Sequence, residues 1–326
     1  MKALVTGGTG FIGSHIVEKL CKQGFSVRCI SRDYLNTEEL KSLNVEIIIK
    51  DLNDNLNWEN ILSDVDIVYH IAGVTQAQYY KEYYERNYLA TKKLVEACSA
   101  HCRNLRRFVY LSSLTAVGPS IDGKPVDETT AYHPVSDYGK SKMLAEIELL
   151  AYKDRIPITI LRPSAVYGPR ERNFYLLIKS IKRGFNLCMG LNSKFTNMIY
   201  VEDLVEAIIS ASTKSIAEGQ VYFIGSEVAY PNEVICETIA RIVNKKPINV
   251  YIPHCFIYLV CGINELAGKI FKNDVFLNIQ KARELTQAMW NCSIEKAKQE
   301  LGFTQKVSLY EGFMNTYQWY VKMGWV

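Results

Sequence analysis

The chain has 326 residues, 48% of them hydrophobic, which is enough to bury one large core or two modest ones. Its formal net charge of +4 is small, and no basic block interleaves with aromatics, which argues against a nucleic-acid-binding protein. The nine cysteines include no CxxC pair and are expected to be reduced thiols, with no metal site. Met1 lies two residues before the first apolar run, so no signal peptide and a cytoplasmic location are expected.

The first predicted element is the apolar strand Ala3-Leu4-Val5, followed directly by a glycine-rich turn. Gly7 and Gly10 allow the backbone to turn tightly beside a pyrophosphate, and Gly13 allows the next helix to pack against the strand. The N-terminal amides and the dipole of that helix would then face the phosphates. Strand, spacing and helix together predict a dinucleotide-binding site.

Short apolar runs alternate with helically spaced segments through the first half of the chain. The predicted strands are Val27–Ile30, Val45–Ile49, Ile67–Ile71, Phe108–Leu111 and Ile158–Leu161. Strands that are apolar throughout indicate burial on both faces. The predicted fold class is therefore α/β, a Rossmann-type doubly wound parallel sheet that binds its ligand at the carboxyl ends of the strands.

The alternation ends near residue 170, and the rest of the chain is expected to divide between two parts. Met198–Val201 and Val221–Ile224 have the composition of strands that return to the sheet. We therefore expect a dinucleotide-binding domain and a smaller substrate-binding lobe with C-terminal helices, formed by residues 1–170 with 196–225 and by residues 171–195 with 226–326.

A second constellation of polar residues, at positions 137–142, follows the pair Ser112-Ser113 along the chain. Tyr138 and Lys142 are four residues apart, so on a helix they share a face, where the ammonium can lower the pKa of the phenol and reach a cofactor ribose. A tyrosine with the ordinary pKa of about 10 is a poor proton shuttle at neutral pH. A surface Tyr and Lys is the alternative for this spacing alone, and the upstream glycine turn favours catalysis.

Eight segments, taken in order, make the chain resemble the extended short-chain dehydrogenase/reductase family, also called the epimerase/dehydratase family, over nearly its whole length. They are TGGTGFIGSH (6–15), DL (51–52), HIAG (70–73), NYLATKKLVEAC (87–98), LSSLTAVG (111–118), YGKSK (138–142), LRPSAVYGP (161–169) and IYVEDLVEAI (199–208). The resemblance implies that Tyr138 is the general acid/base, that Lys142 is its electrostatic partner, and that Ser113 orients the substrate oxygen.

The same resemblance implies a set of cofactor contacts and a mode of assembly. The implied cofactor residues are Gly7, Gly10, Phe11, Ile12, Gly13, Arg32, Asp51, Leu52, Ala72, Gly73, Tyr138, Lys142, Pro163 and Val166. Asn87 matches a helix asparagine that is expected to be structural. The tyrosines at 79, 80, 83, 84 and 88 fall near the surface that family members use for homodimers, so a homodimer is expected.

The end of the second strand bears on the choice between NADP and NAD. Family members that prefer NAD carry an acidic residue where this chain has Ser31. The next residue, Arg32, suits a 2′-phosphate and could stack on adenine. NADP is therefore the preferred prediction, and NAD stays open because Asp33 follows.

The family includes several reaction types, and this chain lacks three residue features that are typical of two of them. Nucleotide-sugar epimerases usually have asparagine where this chain has Ala165 and arginine near Thr196, whereas sugar dehydratases have an Asp-Glu pair at Leu114-Thr115. The preferred hypothesis is an NAD(P)-dependent oxidoreductase that interconverts a secondary alcohol and a ketone on a small, fairly apolar substrate. The alternatives are a nucleotide-sugar 4-epimerase or dehydratase with tightly bound NAD, and a non-enzymatic dinucleotide-sensing scaffold.

Two further segments leave the type of substrate open. Five basic residues could hold a phosphorylated substrate or form a solvated helix face. They are Arg170, Arg172, Lys179, Lys182 and Arg183. The apolar run at 252–263 is too short to span a bilayer, and could line an apolar pocket, lie on a membrane surface or form a core helix. The C-terminal third, ending in WYVKMGW, resembles hydroxysteroid-dehydrogenase-like and dihydroflavonol-reductase-like members.

Overall fold

The computed structural model describes residues 1–32, 40, 43–271 and 278–326. The strands are β1 Lys2–Thr6, β2 Ser26–Ser31, β3 Glu46–Ile49, β4 Ile67–His70, β5 Arg107–Leu111, β6 Ile158–Pro163, β7 Ala165–Tyr167, β8 Phe185–Met189, β9 Phe195–Thr196, β10 Met198–Tyr200, β11 Val221–Ile224, β12 Tyr230–Pro231, β13 Ile248–Ile252 and β14 Met289–Trp290.

The α-helices are α1 Phe11–Lys22, α2 Trp58–Leu62, α3 Tyr80–Tyr83, α4 Ala90–His101, α5 Leu114–Val117, α6 Asp137–Leu150, α7 Asn173–Lys182, α8 Val201–Thr213, α9 Asn232–Ile242, α10 His254–Phe271, α11 Ile279–Leu285, α12 Glu295–Leu301 and α13 Leu309–Lys322. A π-helix, Tyr84–Leu89, joins α3 to α4, and a short 3₁₀ helix spans Ser215–Ala217. None of the helices in the described ranges is both long and apolar enough to cross a membrane.

Seven strands form one parallel sheet in the order β3-β2-β1-β4-β5-β6-β11. The chain runs outward from β1 to β3 and then returns to β4 on the other side of β1, so the strand order reverses there. Thr6 at the end of β1 lies between Ile30 of β2 and His70 of β4. The predicted doubly wound Rossmann-type sheet is confirmed, and this reversal is where such sheets bind ligands.

Helices cover both faces of the sheet and enclose two hydrophobic cores. On one face Ile16 of α1 and Leu204 of α8 are fully buried, and on the other Leu94 of α4 and Leu149 of α6 are fully buried. Continuously apolar strands such as β5 fit this arrangement because both of their faces are covered. The sheet therefore holds its carboxyl edge rigidly between two packed layers.

The strand predicted at 198–201 does not return to the main sheet, and that part of the prediction is wrong. β10 pairs with β7 in a separate two-stranded sheet, whereas β11 joins β6 as expected. The Ser164 amide still donates to Ile224 (2.9 Å), but the next amide, that of Ala165, donates to Asn197 (3.2 Å). The chain thus leaves the main sheet just after Pro163, and Val201 starts α8 instead of ending a strand.

The C-terminal part builds two small sheets and a third core. β8 pairs with β13 in parallel, β9 lies between β12 and β14, and α7, α9 and α13 enclose the core that contains Tyr167 and Phe313. By contrast, Ala297 and Leu301 of α12 pack into one of the two cores of the main sheet. The division into two lobes at the expected boundaries stays a prediction.

Candidate active site

A cavity of about 940 Å³ opens at the carboxyl edge of the main sheet. All of the residues predicted for catalysis or cofactor binding line this cavity: Gly7, Gly10, Phe11, Ile12, Gly13, Arg32, Asp51, Leu52, Ala72, Gly73, Ser113, Tyr138, Lys142, Pro163 and Val166. Segments that are far apart in sequence therefore meet at one place. Their individual roles stay predictions, and the local geometry bears on each of them.

The glycine turn leaves space that side chains would fill. Gly7 has a φ of 73°, and a Cβ at this position would lie 2.7 Å from the Ala72 nitrogen. A Cβ at Gly13 would lie 2.0 Å from the Gly7 carbonyl oxygen. Gly10, the N-cap of α1, has no side chain to bond the first-turn amides. The turn and helix terminus therefore fit the diphosphate of a dinucleotide.

One end of the cavity, where the sequence predicts the adenosine of a dinucleotide, is formed by the strand ends next to this turn. Leu52 is buried, and the Asp51 carboxylate accepts from the Asn53 amide at 2.8 Å, which fixes the loop after β3. Arg32 is exposed and forms no ion pair with the residues that the structure describes. Asp33, which left NAD open in the sequence, lies outside the described residues. A role for Arg32 at a cofactor ribose stays a prediction.

Helix α6 carries Tyr138 and Lys142 into the cavity. It starts behind Ser136, whose Oγ accepts from the Gly139 amide at 3.1 Å, and its first residues lie against the sheet edge. Lys142 Nζ donates to the Leu111 carbonyl at 2.8 Å and lies 4.7 Å from the centre of the Tyr110 ring. Burial lowers the pKa of Lys142 to about 7, and the Glu146 carboxylate opposes this shift.

The Tyr138 phenol is also buried, and here the sequence-based expectation needs correction. Lys142 was expected to lower the pKa of Tyr138, but burial raises it above the ordinary value. A hydrogen bond with Ser113 opposes that shift. Ser113 Oγ accepts from Thr115 Oγ1 at 2.8 Å, so its own proton is directed elsewhere, toward the phenol. The tyrosine is therefore a protonated phenol at neutral pH.

The two adjacent serines have different tasks. Ser112 is buried and donates its hydroxyl to the Glu146 carboxylate, whereas Ser113 bonds Tyr138. This difference supports the preference for Ser113 as the residue that orients a substrate oxygen. Sequence reasoning did not assign Thr115 a role, although its hydroxyl is what orients Ser113.

A buried ion pair that sequence reasoning missed lies directly behind the site. Arg162 Nη2 lies 2.7 Å from Glu146 Oε2, and Tyr132 donates to the same oxygen at 2.7 Å. The Tyr132 and Phe223 rings are each centred 5.2 Å from the guanidinium carbon. Because Glu146 continues the four-residue spacing of Tyr138 and Lys142 on α6, that spacing was a signal that could have found it.

Asn87 joins three parts of the site, in agreement with its expected structural role. Its side-chain oxygen accepts from the Val74 amide at 2.7 Å, and its amide nitrogen donates to the Val74 carbonyl (3.0 Å) and to Ser141 Oγ (2.9 Å). A Cβ on Gly73 would lie 3.1 Å from the Asn87 oxygen and 3.3 Å from Lys142 Nζ. The residue stands in a π-helix, a distortion frequent at functional sites.

His70 is a fully buried, neutral imidazole at the end of β4. Burial lowers its pKa to about 3. Its Nε2 lies 2.8 Å from Thr91 Oγ1, and this threonine gives its proton to the Asn87 carbonyl. Nε2 must therefore donate, which leaves Nδ1 to accept from Thr6 Oγ1 at 2.6 Å. This chain of hydrogen bonds ties β1, β4 and α4 together beneath Ala72, whose amide donates to Thr6.

The five basic residues that were considered for a phosphorylated substrate separate into two groups. Arg170 and Arg172 line the cavity, and Arg170, at a φ of 74°, forms an ion pair with Glu18 of α1. Lys179 donates to Tyr175, while the remaining two, at 182 and 183, are exposed at the end of α7. Trp319 and Trp325, which were not among the predicted site residues, also line the cavity.

Comparison with known proteins agrees with this geometry. Residues 3–225 match the model of the NAD dependent epimerase/dehydratase family. An uncharacterised UDP-glucose epimerase of Bacillus subtilis is 32% identical over 246 residues, 69% of this chain and 77% of that protein. A ceramide reductase of Caulobacter vibrioides is 26% identical over 99% of this chain and 95% of its own length.

Among solved structures, UDP-glucuronic acid 4-epimerase from Bacillus cereus, in complex with UDP-glucuronic acid and NAD, superposes with a TM-score of 0.81 at 26% identity. The match covers 99% of this chain and 100% of that one. The fold, the position of the cavity and the family model are thus in agreement. The chain belongs to the NAD dependent epimerase/dehydratase family.

Proposed function

We propose that this chain is an NAD-dependent 4-epimerase of a nucleotide sugar, the alternative that the sequence left open. The observation that carries the proposal is the convergence of Ser113, Tyr138 and Lys142 beside the glycine turn in one cavity. The relatives that are named as UDP-sugar epimerases support the nucleotide-sugar substrate. The preferred oxidoreductase hypothesis becomes the second candidate.

Each catalytic side chain has one task in the proposed reaction. Tyr138 would act as a phenolate: it would take the proton of a sugar hydroxyl as that alcohol is oxidised to a ketone, and return it when the ketone is reduced. Positive charge brought close to the phenol oxygen would first have to lower its raised pKa. Ser113 would bond the same oxygen, and Lys142, held by the Leu111 carbonyl, would contact a ribose of the cofactor. A bound nicotinamide dinucleotide supplies first the acceptor and then the donor of the hydride. Reduction from the opposite face of the ketone gives the epimer.

Epimerisation is favoured over dehydration by the residues next to Ser113. Elimination of water needs a second acid/base pair, and this chain has Leu114 and Thr115 at that position. Leu114 is buried, and Thr115 is engaged with Ser113. Hydride and proton exchange at a single carbon needs no such pair.

The substrate is proposed to bind between the Rossmann-type part and the C-terminal lobe. Glu284 of α11 accepts from Ser136 at 2.7 Å, and Gln280 accepts from the Asp137 amide at 3.1 Å. These bonds dock α11 on the start of α6, one residue before Tyr138. We propose that residues 171–195 and 226–326 supply the surface that recognises the nucleotide.

The proposal is tested by the cofactor that the protein retains and by turnover without added cofactor. We expect purified protein to release NAD when it is denatured, because an epimerase returns the hydride that it removes. We also expect it to convert UDP-glucose to UDP-galactose, as followed by NMR. Protein without retained cofactor that consumes added NADP(H) on a ketone, and does not convert UDP-sugars, would refute the proposal.

The second candidate is an NADP-preferring oxidoreductase that acts on an apolar substrate. It is favoured by Ala165 and by Thr196, which donates to Asn232 at 3.0 Å instead of supplying a cation, and by the ceramide reductase relative. It predicts that Arg32 binds the 2′-phosphate of NADP.

Under this second hypothesis Arg32→Ala should weaken NADP(H) binding about tenfold and leave NAD(H) binding unchanged, a modest effect because the guanidinium is exposed. The measurement is a fluorescence titration of both cofactors, with Lys81→Ala as the matched control at an exposed cation outside the cavity. Equal losses for both cofactors would show that Arg32 does not discriminate between them.

A further inference from the structure

An apolar surface lies far from the cavity, on the ribbon formed by β8 and β13. Their parallel register places Phe185 beside Ile248 and Leu187 beside Val250, with side chains on one face. On the opposite face, Asn186 and Cys188 of β8 meet Cys236 of α9, whereas Tyr251 of β13 is exposed. The apolar face is open at its amino-terminal half, where Ile248 is 68% exposed.

Helix α10 covers only the other half of that face. Ile257 and Cys261 of the helix are buried and pack against Met189 and Ile252 at the carboxyl end of the ribbon. The four apolar side chains at its amino-terminal end stay exposed. The uncovered half of the ribbon thus lies beside the half that the helix covers.

The helix also has a second apolar side that nothing covers within the described parts of the chain. At 100° per residue, the buried stripe of Ile257, Cys261 and Gly268 is separate from an arc of about 120° that is occupied by apolar residues. These residues are all exposed: Phe256, Leu259, Val260, Ile263 and Leu266. The polar side of the helix, with His254 and Glu265, lies on the remaining arc. Packing in the monomer uses only one of these two apolar sides, and the other is left exposed.

Four cations flank the open end of this surface, which we call the apolar patch (Phe185, Leu187, Ile248, Val250 and the exposed apolar residues of α10). Lys182 and Arg183 precede β8, and Lys245 and Lys246 precede β13. The Ile248 amide donates to the Gly184 carbonyl at 2.9 Å, so the two cationic pairs lie side by side. All four are exposed, and none forms an ion pair with a described residue.

We propose that the apolar patch docks on the surface of an anionic lipid bilayer. The exposed apolar residues would enter the headgroup and acyl boundary, and the four cations would meet lipid phosphates beside them. Association of two copies through the apolar patch is the alternative, and the cluster of four cations beside the patch favours the lipid because lipid phosphates would meet these cations directly. The proposal is independent of the proposed function, since no patch residue lines the active-site cavity.

The test is flotation of the full chain with vesicles of two compositions. Phosphatidylcholine vesicles are compared with vesicles that contain about one quarter phosphatidylglycerol, at low salt and at about 0.5 M salt. We expect binding to the anionic vesicles at low salt, and at least tenfold weaker binding to the neutral ones. Equal binding to the two compositions, or no binding to either, overturns the proposal.

Two double variants separate the apolar and the charged contributions. Leu259→Ser/Ile263→Ser should abolish flotation, and Lys245→Gln/Lys246→Gln should weaken it on the order of tenfold. The matched controls are Ile121→Ser/Val228→Ser and Lys124→Gln/Lys153→Gln, at exposed positions elsewhere, which should float like wild type. Thermal unfolding midpoints equal to wild type show that each variant is folded.

The self-association alternative has its own readout. If wild type does not bind anionic vesicles, and Leu259→Ser/Ile263→Ser converts a dimer to a monomer in light scattering, the patch joins two copies and the lipid proposal is wrong. Flotation of Leu259→Ser/Ile263→Ser at the wild-type level would also contradict the lipid proposal.

Discussion

At the scale of single residues, the surroundings of the Tyr138 phenol determine which protonation state it holds. Burial raises its pKa, and the hydrogen bond from Ser113 acts in the opposite direction. The residue is therefore ready to give a proton to a ketone oxygen. To accept a proton from an alcohol, Tyr138 must first be deprotonated. Positive charge brought close to its oxygen would favour this by lowering the pKa that burial raises.

Replacing Tyr138 by Phe removes the transferable proton without emptying the site. We expect turnover of UDP-glucose to fall on the order of 10²- to 10⁴-fold while cofactor affinity stays within about twofold of wild type. The measurements are the NMR epimerisation assay and a cofactor titration. Tyr310→Phe, at an exposed position of α13, is the control and should behave as wild type. Turnover near the wild-type rate in Tyr138→Phe would remove Tyr138 from the mechanism.

Lys142 makes stability depend on pH. Burial lowers its pKa from 10.5 to about 7, so between these values the unfolded chain holds a proton that the folded chain has released. The free energy of unfolding therefore rises with pH in this window, by at most about 1.4 kcal/mol per pH unit. Below pH 7 both states are protonated, and the cost of burying the charge is constant.

Lys142→Met should remove this slope and raise the melting temperature at pH 7, while it abolishes turnover. Thermal unfolding of wild type and variant from pH 7 to 9.5 measures the difference. Lys140→Met, at an exposed neighbour on the same helix, should keep the wild-type slope. Parallel profiles for Lys142→Met and wild type would contradict a deprotonated Lys142 in the folded state.

Sequence reasoning predicted which residues meet at the site but not what holds them there. Gly7, Tyr138 and Lys142 were found because their spacing follows from helix and turn geometry. The tautomer of His70 depends on hydrogen bonds to Thr6 and Thr91, which belong to elements distant in sequence. The bond from the Thr115 hydroxyl to Ser113 is local, but it depends on side-chain orientations that residue spacing does not specify. The raised pKa of Tyr138 follows from burial, and the spacing between Tyr138 and Lys142 does not predict how deeply the phenol is buried.

At the scale of elements, α6 links chemistry to the core. Tyr138, Lys142 and Glu146 follow each other at intervals of four residues, so the helix presents a phenol, an amine and a buried carboxylate on one side. The carboxylate is matched by Arg162 of β6. The register of α6 on the sheet is therefore fixed by charge as well as by apolar packing.

Glu146→Gln should destabilise the protein by about 3 to 5 kcal/mol, because it leaves the buried Arg162 without its counter-charge. Urea unfolding followed by circular dichroism measures this change. Glu96→Gln is the control, since its partner Lys92 is 38% exposed and the pair should contribute less than about 0.5 kcal/mol. A loss below 1 kcal/mol in Glu146→Gln would show that the pair does not fix α6.

The element predictions succeeded where periodicity was strong and failed where pairing decided the outcome. The five predicted strands of the first half match β2 to β6 to within a few residues at their ends. The run at 198–201 has the composition of a sheet strand, but its partner is β7 and not the main sheet. Which strands pair depends on where the chain turns after Pro163, and composition alone does not specify that turn.

At the scale of the whole molecule, the predicted homodimer would form on the side of α4 and α6. Ile147 of α6 is 49% exposed, and the rings of Tyr84 and Tyr88 in the adjacent π-helix lie 5.0 Å apart. An exposed aliphatic residue next to an aromatic pair is typical of protein interfaces. This surface is distinct from the apolar patch.

Ile147→Glu should therefore convert a dimer to a monomer, because it places a charge at the centre of the interface. Light scattering coupled to size exclusion, at micromolar concentration, gives the mass. Val228→Glu, in an exposed loop, should leave the mass unchanged. A wild-type protein that is monomeric under these conditions would show that the homodimer prediction is wrong.

The strand order also has a consequence for the time at which the site is built during synthesis. The central strand β1 gains its neighbours β2 and β4 from the first seventy residues, so the dinucleotide cradle can assemble while the rest of the chain is still being made. The edge strand β11 is translated more than a hundred residues after Thr115. A nascent chain can thus form the predicted dinucleotide cradle before the last strand of its main sheet has been made.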